Sequence, residues 1–402
     1  MNQLSRHAAL VDGPDLWVEG EAVTQLERAA ALPGCVRAVG MPDLHPGPGY
    51  PIGVALAFRH TLVPHLVGGD AGCGVRVVAV PRLKHRGDAL ERRLRHETDA
   101  PMISRDPEAF ALAWREGLPG FARWPELDDG LAAWLKQLAP LADDNPSGPV
   151  PGRDFSDSLG TIGGGNHFLE VAKVGELVDP PAAARSGLKR DGYAVVAHSG
   201  SRGIGRYLID KWGATPLTGA AAQDYLADLS GARRYASVNR ALLCWRALRA
   251  IGAAATGRIA GSFDLCHNDI VVRDVDGEAT WLHRKGAAPA EPGAPTIVLG
   301  SRGAASWVME GLGGADALWS VAHGAGRRMT RAEAVDKLRA RYPRRSLSRT
   351  AIGSRVICDD PKVLYAEHPD AYKPMAPILA ATEKSGAARP VAELVPIMTA
   401  KR

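Results

Sequence analysis

The stretch Gly68-Gly-Asp-Ala-Gly-Cys-Gly-Val75 constrains this chain more than any other. Glycine takes positive φ without penalty, so such a loop folds tightly and can aim Asp70 and Cys73 at one point. A carboxylate and a thiolate brought together repel unless a cation lies between them. The bland alternative is a cysteine acting as a small buried hydrophobe. Residues 52–58 and 75–80 read as strands, which frames the loop as a positioned site.

Other loops share this character. In Gly160-Thr-Ile-Gly-Gly-Gly-Asn-His-Phe-Leu-Glu-Val171 a glycine-rich loop delivers Asn166 and His167 into a strand holding Phe168, Leu169 and Glu170. Its amides could hold phosphate oxygens, although the spacing is neither a P-loop nor a dinucleotide fingerprint. Val195-Val-Ala-His-Ser-Gly-Ser-Arg-Gly-Ile-Gly205 reads as a strand ending in His198, a small-residue turn carrying Arg202, and a helix from near Ile204. Phe263-Asp-Leu-Cys-His-Asn268 sets His267 beside Asn268, and Leu299-Gly-Ser-Arg-Gly303 is a glycine–serine loop. Trp281-Leu-His-Arg-Lys-Gly-Ala287 puts two cations against a glycine, which suits a phosphate grip or an exposed turn. Ala322-His-Gly-Ala-Gly-Arg327 precedes Thr330-Arg-Ala-Glu333, the spacing of a capping box. His323 therefore stands shortly before a helix N-terminus, where anions are favoured.

Asp70, Cys73, His167, His198 and His267 together offer one hard oxygen, one soft sulfur and three imidazoles. They suffice for two divalent ions if the thiolate bridges them. Two dications exceed the charge of one carboxylate and one thiolate, and the surplus favours an anionic substrate such as a triphosphate or an RNA phosphate. These donors suit zinc, and the carboxylate leaves manganese open.

The rest of the chain is a frame for these loops. Helices are expected over 19–32, 88–97 (Leu90 and Leu94 facing inward), 130–141 and 223–250, the last with Tyr225, Leu229, Leu242 and Leu248 in the core and a break at Gly231. A strand is expected over 36–39, followed by a proline-rich loop over 41–50 that carries Asp43 and His45. The breaker-rich segment 143–153 is a linker or, preferably, a surface loop of one domain spanning 1–402, because chemical motifs lie on both sides of it. Of 402 residues, 46% are hydrophobic, ample for a core, and the net charge of +5 is compatible with a polyanionic partner. Five scattered cysteines imply no disulfide framework. No apolar run is long enough to span a bilayer and none opens the chain, so a cytoplasmic protein without membrane contact is expected.

From Met41 onward the chain resembles the RtcB family of RNA-splicing ligases. The motifs are Met41-Pro-Asp-Leu-His45, Asp70-Ala-Gly-Cys-Gly74, Gly163-Gly-Gly-Asn-His-Phe-Leu-Glu170, His198-Ser-Gly-Ser-Arg-Gly203, Cys266-His-Asn268, Arg284-Lys-Gly286, Gly300-Ser301 and His323-Gly-Ala-Gly-Arg327, in the family's order. The resemblance implies an α+β fold of stacked sheets and surrounding helices in one compact domain. It implies joining of RNA 3′-phosphate or 2′,3′-cyclic phosphate ends to 5′-hydroxyl ends with GTP and Mn²⁺, a cyclic end first being opened by water. Asp70, Cys73, His167, His198 and His267 become ligands of two Mn²⁺ ions with Cys73 bridging, and His323 the nucleophile that takes up GMP. The GTP-binding positions are Asn166, His167, Phe168, Leu169, Glu170, His267, Asn268, Leu299, Gly300, Ser301, Arg302, Ser306, His323, Gly324, Ala325, Gly326 and Lys401. Arg202 and Arg327 would hold RNA phosphate.

Some positions depart from the family's pattern. Pro48 stands where lysine is common, Arg302 replaces a common methionine, and Lys401-Arg402 ends the chain in place of Lys-Gly, so Lys401 matches by tail alignment. The Asp43-Leu-His-Pro-Gly variant resembles a bacterial side branch encoded beside a release-factor-like protein. The expected substrate is RNA with broken ends, tRNA or rRNA, in repair or splicing. The expected enzyme is a monomer, with room for an activating protein partner. The competing readings are a dinuclear metal phosphoesterase, which has no need of His323, and a metal-stapled RNA-binding module, which would lack a nucleotide pocket.

Overall fold

A computed structural model describes residues 1–99, 103, 105–140, 146–254 and 259–402. Two large sheets form its centre. One runs in the order Asn2–Gln3, Ala8–Leu10, Cys35–His45, Ile52–Phe58, Glu278–Lys285, Asn268–Val275. The other runs Pro295–Val298, Ser306–Gly311, Ala388–Ala400, Phe168–Leu177, Tyr193–Ser199, Gly74–Val80, Gly261–Cys266, with Arg355–Ile357 paired alongside Ala388–Ala400. A short pair, Ala287–Pro289 with Ser320–Ala322, forms a two-stranded sheet of its own. With helices packed around these sheets the fold is α+β, as the resemblance implied.

The larger sheet explains the site. Strands Phe168–Leu177, Tyr193–Ser199, Gly74–Val80 and Gly261–Cys266 are consecutive antiparallel neighbours, with His198 opposite both Phe168 and Val75 and Gly74 opposite Cys266. Antiparallel order brings the starts of two strands and the ends of the other two to one edge. Asp70 and Cys73, His167, His198 and His267 therefore meet there although they are far apart in sequence. Lys401 joins the same edge because Ala400 is paired with Leu169.

Several expected elements are corrected. The strand at 36–39 continues through the expected loop to His45, so Asp43 and His45 are held by strand Cys35–His45. The helix expected over 130–141 is only Asp129–Leu135. The helix with an expected break is unbroken from Gly219 to Ile251, 33 residues. Gly231 is there for space: a Cβ would overlap the indole of Trp114, which is fully buried against it. Arg284 and Lys285 end a strand and are buried rather than forming an exposed turn. Arg284 faces Asp269 and Glu291, each 3.7 Å away, which explains its burial. Residues 143–145 of the expected linker lie outside the described residues. Gly148 farther along accepts from Trp114 Nε1 at 2.8 Å and donates to Ala227 O, which ties that segment to the long helix. Among the described residues no helix is long and apolar enough to cross a membrane.

Candidate metal and nucleotide site

Five donor side chains form a continuous string at the sheet edge. His167 Nε2 is 2.8 Å from Asp70 Oδ2 and 3.3 Å from Cys73 Sγ. Cys73 Sγ is 3.4 Å from His198 Nε2, which is 3.3 Å from His267 Nε2. Cys73 stands at the centre, and the ligand atoms of Cys73, His167 and His198 all lie within 4.8 Å of one another. The turn after His198 passes so close that a Cβ at Gly200 would overlap the Asp70 carboxylate, which is why a glycine is needed there.

The electrostatics suit the binding of positive charge. Burial and the neighbouring Asp70 push the Cys73 thiol far up. Burial and the adjacent imidazoles drive His198 and His267 well below the usual histidine range. Burial opposes the Asp70 carboxylate, but His167 at hydrogen-bond distance holds it down to about 2. The buried Nδ1 atoms of His167, His198 and His267 have no hydrogen-bond partner. Three imidazoles, an anionic carboxylate and a sulfur converging on one place fit a divalent metal by chemistry as well as by spacing.

A cavity of about 1110 Å³ opens over this string. His323, directly after strand Ser320–Ala322, places its ring 4.9 Å from that of His267. Its loop is tied to the Leu299 loop by Leu299 N donating to His323 O at 3.0 Å. Farther along the wall, burial raises the Glu170 carboxyl to about 8 against the Thr399 hydroxyl that donates to it. Lys401 Nζ donates to His167 O at 2.9 Å and lies 5.7 Å from the Phe168 ring, while burial lowers its amine to about 8.

Of the expected site residues, all line this cavity except Leu169, Ser306 and Arg202. Leu169 is core, and Ser306 accepts from Gly300 N, shaping the loop from behind. Arg202 lies behind the Gly163 turn and donates to Thr161 Oγ1. Asn268 acts as a brace, donating to Asp70 O and accepting from Gly286 N. Arg302 is buried at the wall with Nη2 on Leu364 O. Arg327 has its guanidinium engaged by Glu367, Ala366 O, Met329 O and the Tyr372 hydroxyl.

Two residues of the site, Asp43 and Glu367, carry no sequence signal for their part in it, whereas Lys285 belongs to the pair of cations that suits a phosphate grip. The Asp43 carboxylate is 2.6 Å from His323. Lys285 lines the cavity and holds Tyr50 O at 3.1 Å. Glu367 is buried among Arg327, Arg331, Tyr372 and Lys401, and no motif around it signals this.

The family profile described as tRNA-splicing ligase RtcB matches residues 25–216 and 213–402. The chain is similar to RNA-splicing ligase RtcB2 of Escherichia coli, 34% identical over 407 residues, covering 99% of this chain and 96% of that one. It is 32% identical over 437 residues to RNA-splicing ligase RtcB of Mycobacterium tuberculosis, covering 93% and 99%. To tRNA-splicing ligase RtcB of Pyrobaculum aerophilum it is 29% identical over 436 residues, covering 92% and 89%.

Proposed function

The chain belongs to the RtcB family of RNA ligases, and from that premise we propose that it joins an RNA 3′-phosphate or 2′,3′-cyclic phosphate end to a 5′-hydroxyl end, using GTP and two Mn²⁺ ions. The observation carrying this reading is His323 beside the five-donor string in one cavity, its ring 4.9 Å from His267. Asp70, Cys73 and His167 would hold one ion, and Cys73, His198 and His267 the other. When bound, the ions lower the charge on phosphate oxygens and hold them in line.

His323 then acts through Nε2, since Nδ1 faces Asp43. A neutral imidazole needs no deprotonation before it attacks. The Nε2–phosphorus bond forms at the α-phosphate of GTP as the bond to pyrophosphate breaks. An oxygen of the RNA 3′-phosphate next displaces His323, leaving the RNA end capped by GMP. The 5′-hydroxyl attacks the RNA phosphorus, its proton passing to solvent, and GMP departs. Lys401, Glu170 and Phe168 form the base end of the cavity, and the Gly324–Gly326 and Leu299–Arg302 loops hold the ribose and phosphates. Arg331, its side chain 56% exposed at the mouth, reaches RNA phosphate more readily than Arg327 or Arg202.

Incubation of the protein with α-labelled GTP and Mn²⁺, followed by denaturing electrophoresis, tests this. A labelled band that survives base and is lost in acid is expected of a phosphoramidate. No label on the protein would remove the ligase reading.

A further inference from the structure

A second concavity of about 440 Å³ opens beside the main one, between helices Arg331–Arg341 and Pro361–Ala366. Its floor is apolar, built from Ala332, Val335, Val363 and Ala366. Val335 and Val363 both line it and remain half-buried. Two cations line it, Arg331 and the exposed Lys362, with Asp336 and Glu367 beside them and Arg331 paired to Glu367 at 3.2 Å. Among the described residues Lys362 makes no ion pair. The slot is continuous with the main cavity, because Gly165, Arg331 and Glu367 line both.

An apolar slot with cations beside it matches a nucleotide, whose flat base avoids water while its phosphate seeks positive charge. In the ligase reading the guanine of GTP lies at Lys401, Phe168 and Glu170, none of which lines the slot, and this leaves the slot to the other substrate. We propose that it holds the terminal base of the RNA strand bearing the 3′-phosphate, with Arg331 taking the adjoining phosphate where the two cavities meet. This rests on the ligase reading of the main cavity.

The test is equilibrium binding of Mn²⁺-loaded protein to a short fluorescent RNA with a 3′-phosphate, intact or abasic at its last nucleotide, without GTP. For the wild type, loss of the base should weaken binding about five- to tenfold, the scale of burying a small apolar area. In Val335→Phe, where the ring fills the slot, intact and abasic RNA should bind alike. Ala332→Leu, at an exposed helix position, narrows the same slot and gives the answer should the first variant fold poorly. An abasic penalty that is missing in wild type, or that persists undiminished in a folded slot-filling variant, overturns the proposal. So does a variant that weakens binding of GTP but not of RNA, since the slot would then belong to GTP. Failure of the ligase reading is separate: it would appear as wild-type protein that takes up no label from α-labelled GTP.

Discussion

Asp43 Oδ2 lies 2.6 Å from Nδ1 of His323, with both side chains buried. The contact is off the N–H axis, and neither Asp43 Oδ1 nor His323 Nδ1 has a true hydrogen-bond partner. Lys373 braces the same stretch of backbone, donating to Leu44 O at 2.6 Å. A carboxylate so close favours positive charge on the ring, and under the ligase reading it would leave Nε2 to the substrate. Asp43→Ala should slow formation of the protein–GMP adduct by about ten- to a hundredfold while bound metal is unchanged. Single-turnover labelling with metal analysis checks this, and undiminished labelling would mean Asp43 is only structural.

Much of this arrangement was legible in the sequence, for a physical reason. Loops that deliver His167, His198, His267 and His323 need small residues around them, so glycine and serine mark them. The capping box was readable because it is local: Thr330 Oγ1 accepts from Glu333 N, and the Glu333 carboxylate from Thr330 N. What could not be read was long-range. Nothing near Glu367 announces that Arg327, Arg331 and Lys401 converge on it, and Gly231 looks like a helix breaker until Trp114 is seen against it. Asp43 was masked by a proline-rich context that reads as loop, whereas pairing with strand Ile52–Phe58 extends the sheet to His45.

The central position of Cys73 makes it the sensitive member of the string. Cys73→Ala should lose both metal ions and all RNA joining, while a core cysteine would tolerate alanine at a modest cost in stability. Metal content of the purified variant decides, and stoichiometric manganese in it would rule out the bridge.

The chain end should govern nucleotide choice. Lys401 is buried beside His167 O, and Arg402 ties the tail to Asp359 at 3.2 Å. Removing Lys401 and Arg402 deletes a charged donor at the base end of the cavity, worth about 1–3 kcal/mol to a buried acceptor. Preference for GTP over ATP should fall about five- to a hundredfold in competition binding. Unchanged selectivity would show that Lys401 does not read the base.

Glu170 carries a pH signature. Its carboxyl is raised from 4.5 to about 8 by burial, so the fold holds this proton more tightly than the unfolded chain does. Its contribution is therefore complete below about 4.5 and is lost as pH rises towards 8. Glu170→Gln removes the ionisation at nearly constant shape. Relative to wild type, the variant should gain stability between pH 5 and 8, on the order of a few kcal/mol, and level off above. Melting curves across that range check it, and parallel curves would mean that Glu170 is ionised in the fold.

His323 separates a ligase from a phosphoesterase. It stands directly after a short strand, beside the five-donor string and in the loop that leads to a capped helix, with Asp43 against its ring. A sixth metal ligand is the rival role, because its ring is only 4.9 Å from that of His267. The two roles differ in what His323→Ala leaves behind. If His323 is the nucleophile, the protein–GMP adduct and ligation of a 3′-phosphate end are lost, while metal content and GTP binding persist. Opening of a cyclic phosphate also persists, because no bond to His323 forms in that step. If His323 is a ligand, metal content and every activity fall together. Metal analysis, GTP binding and cyclic-phosphate opening on one preparation distinguish these patterns, and loss of metal in the variant would remove His323 as nucleophile.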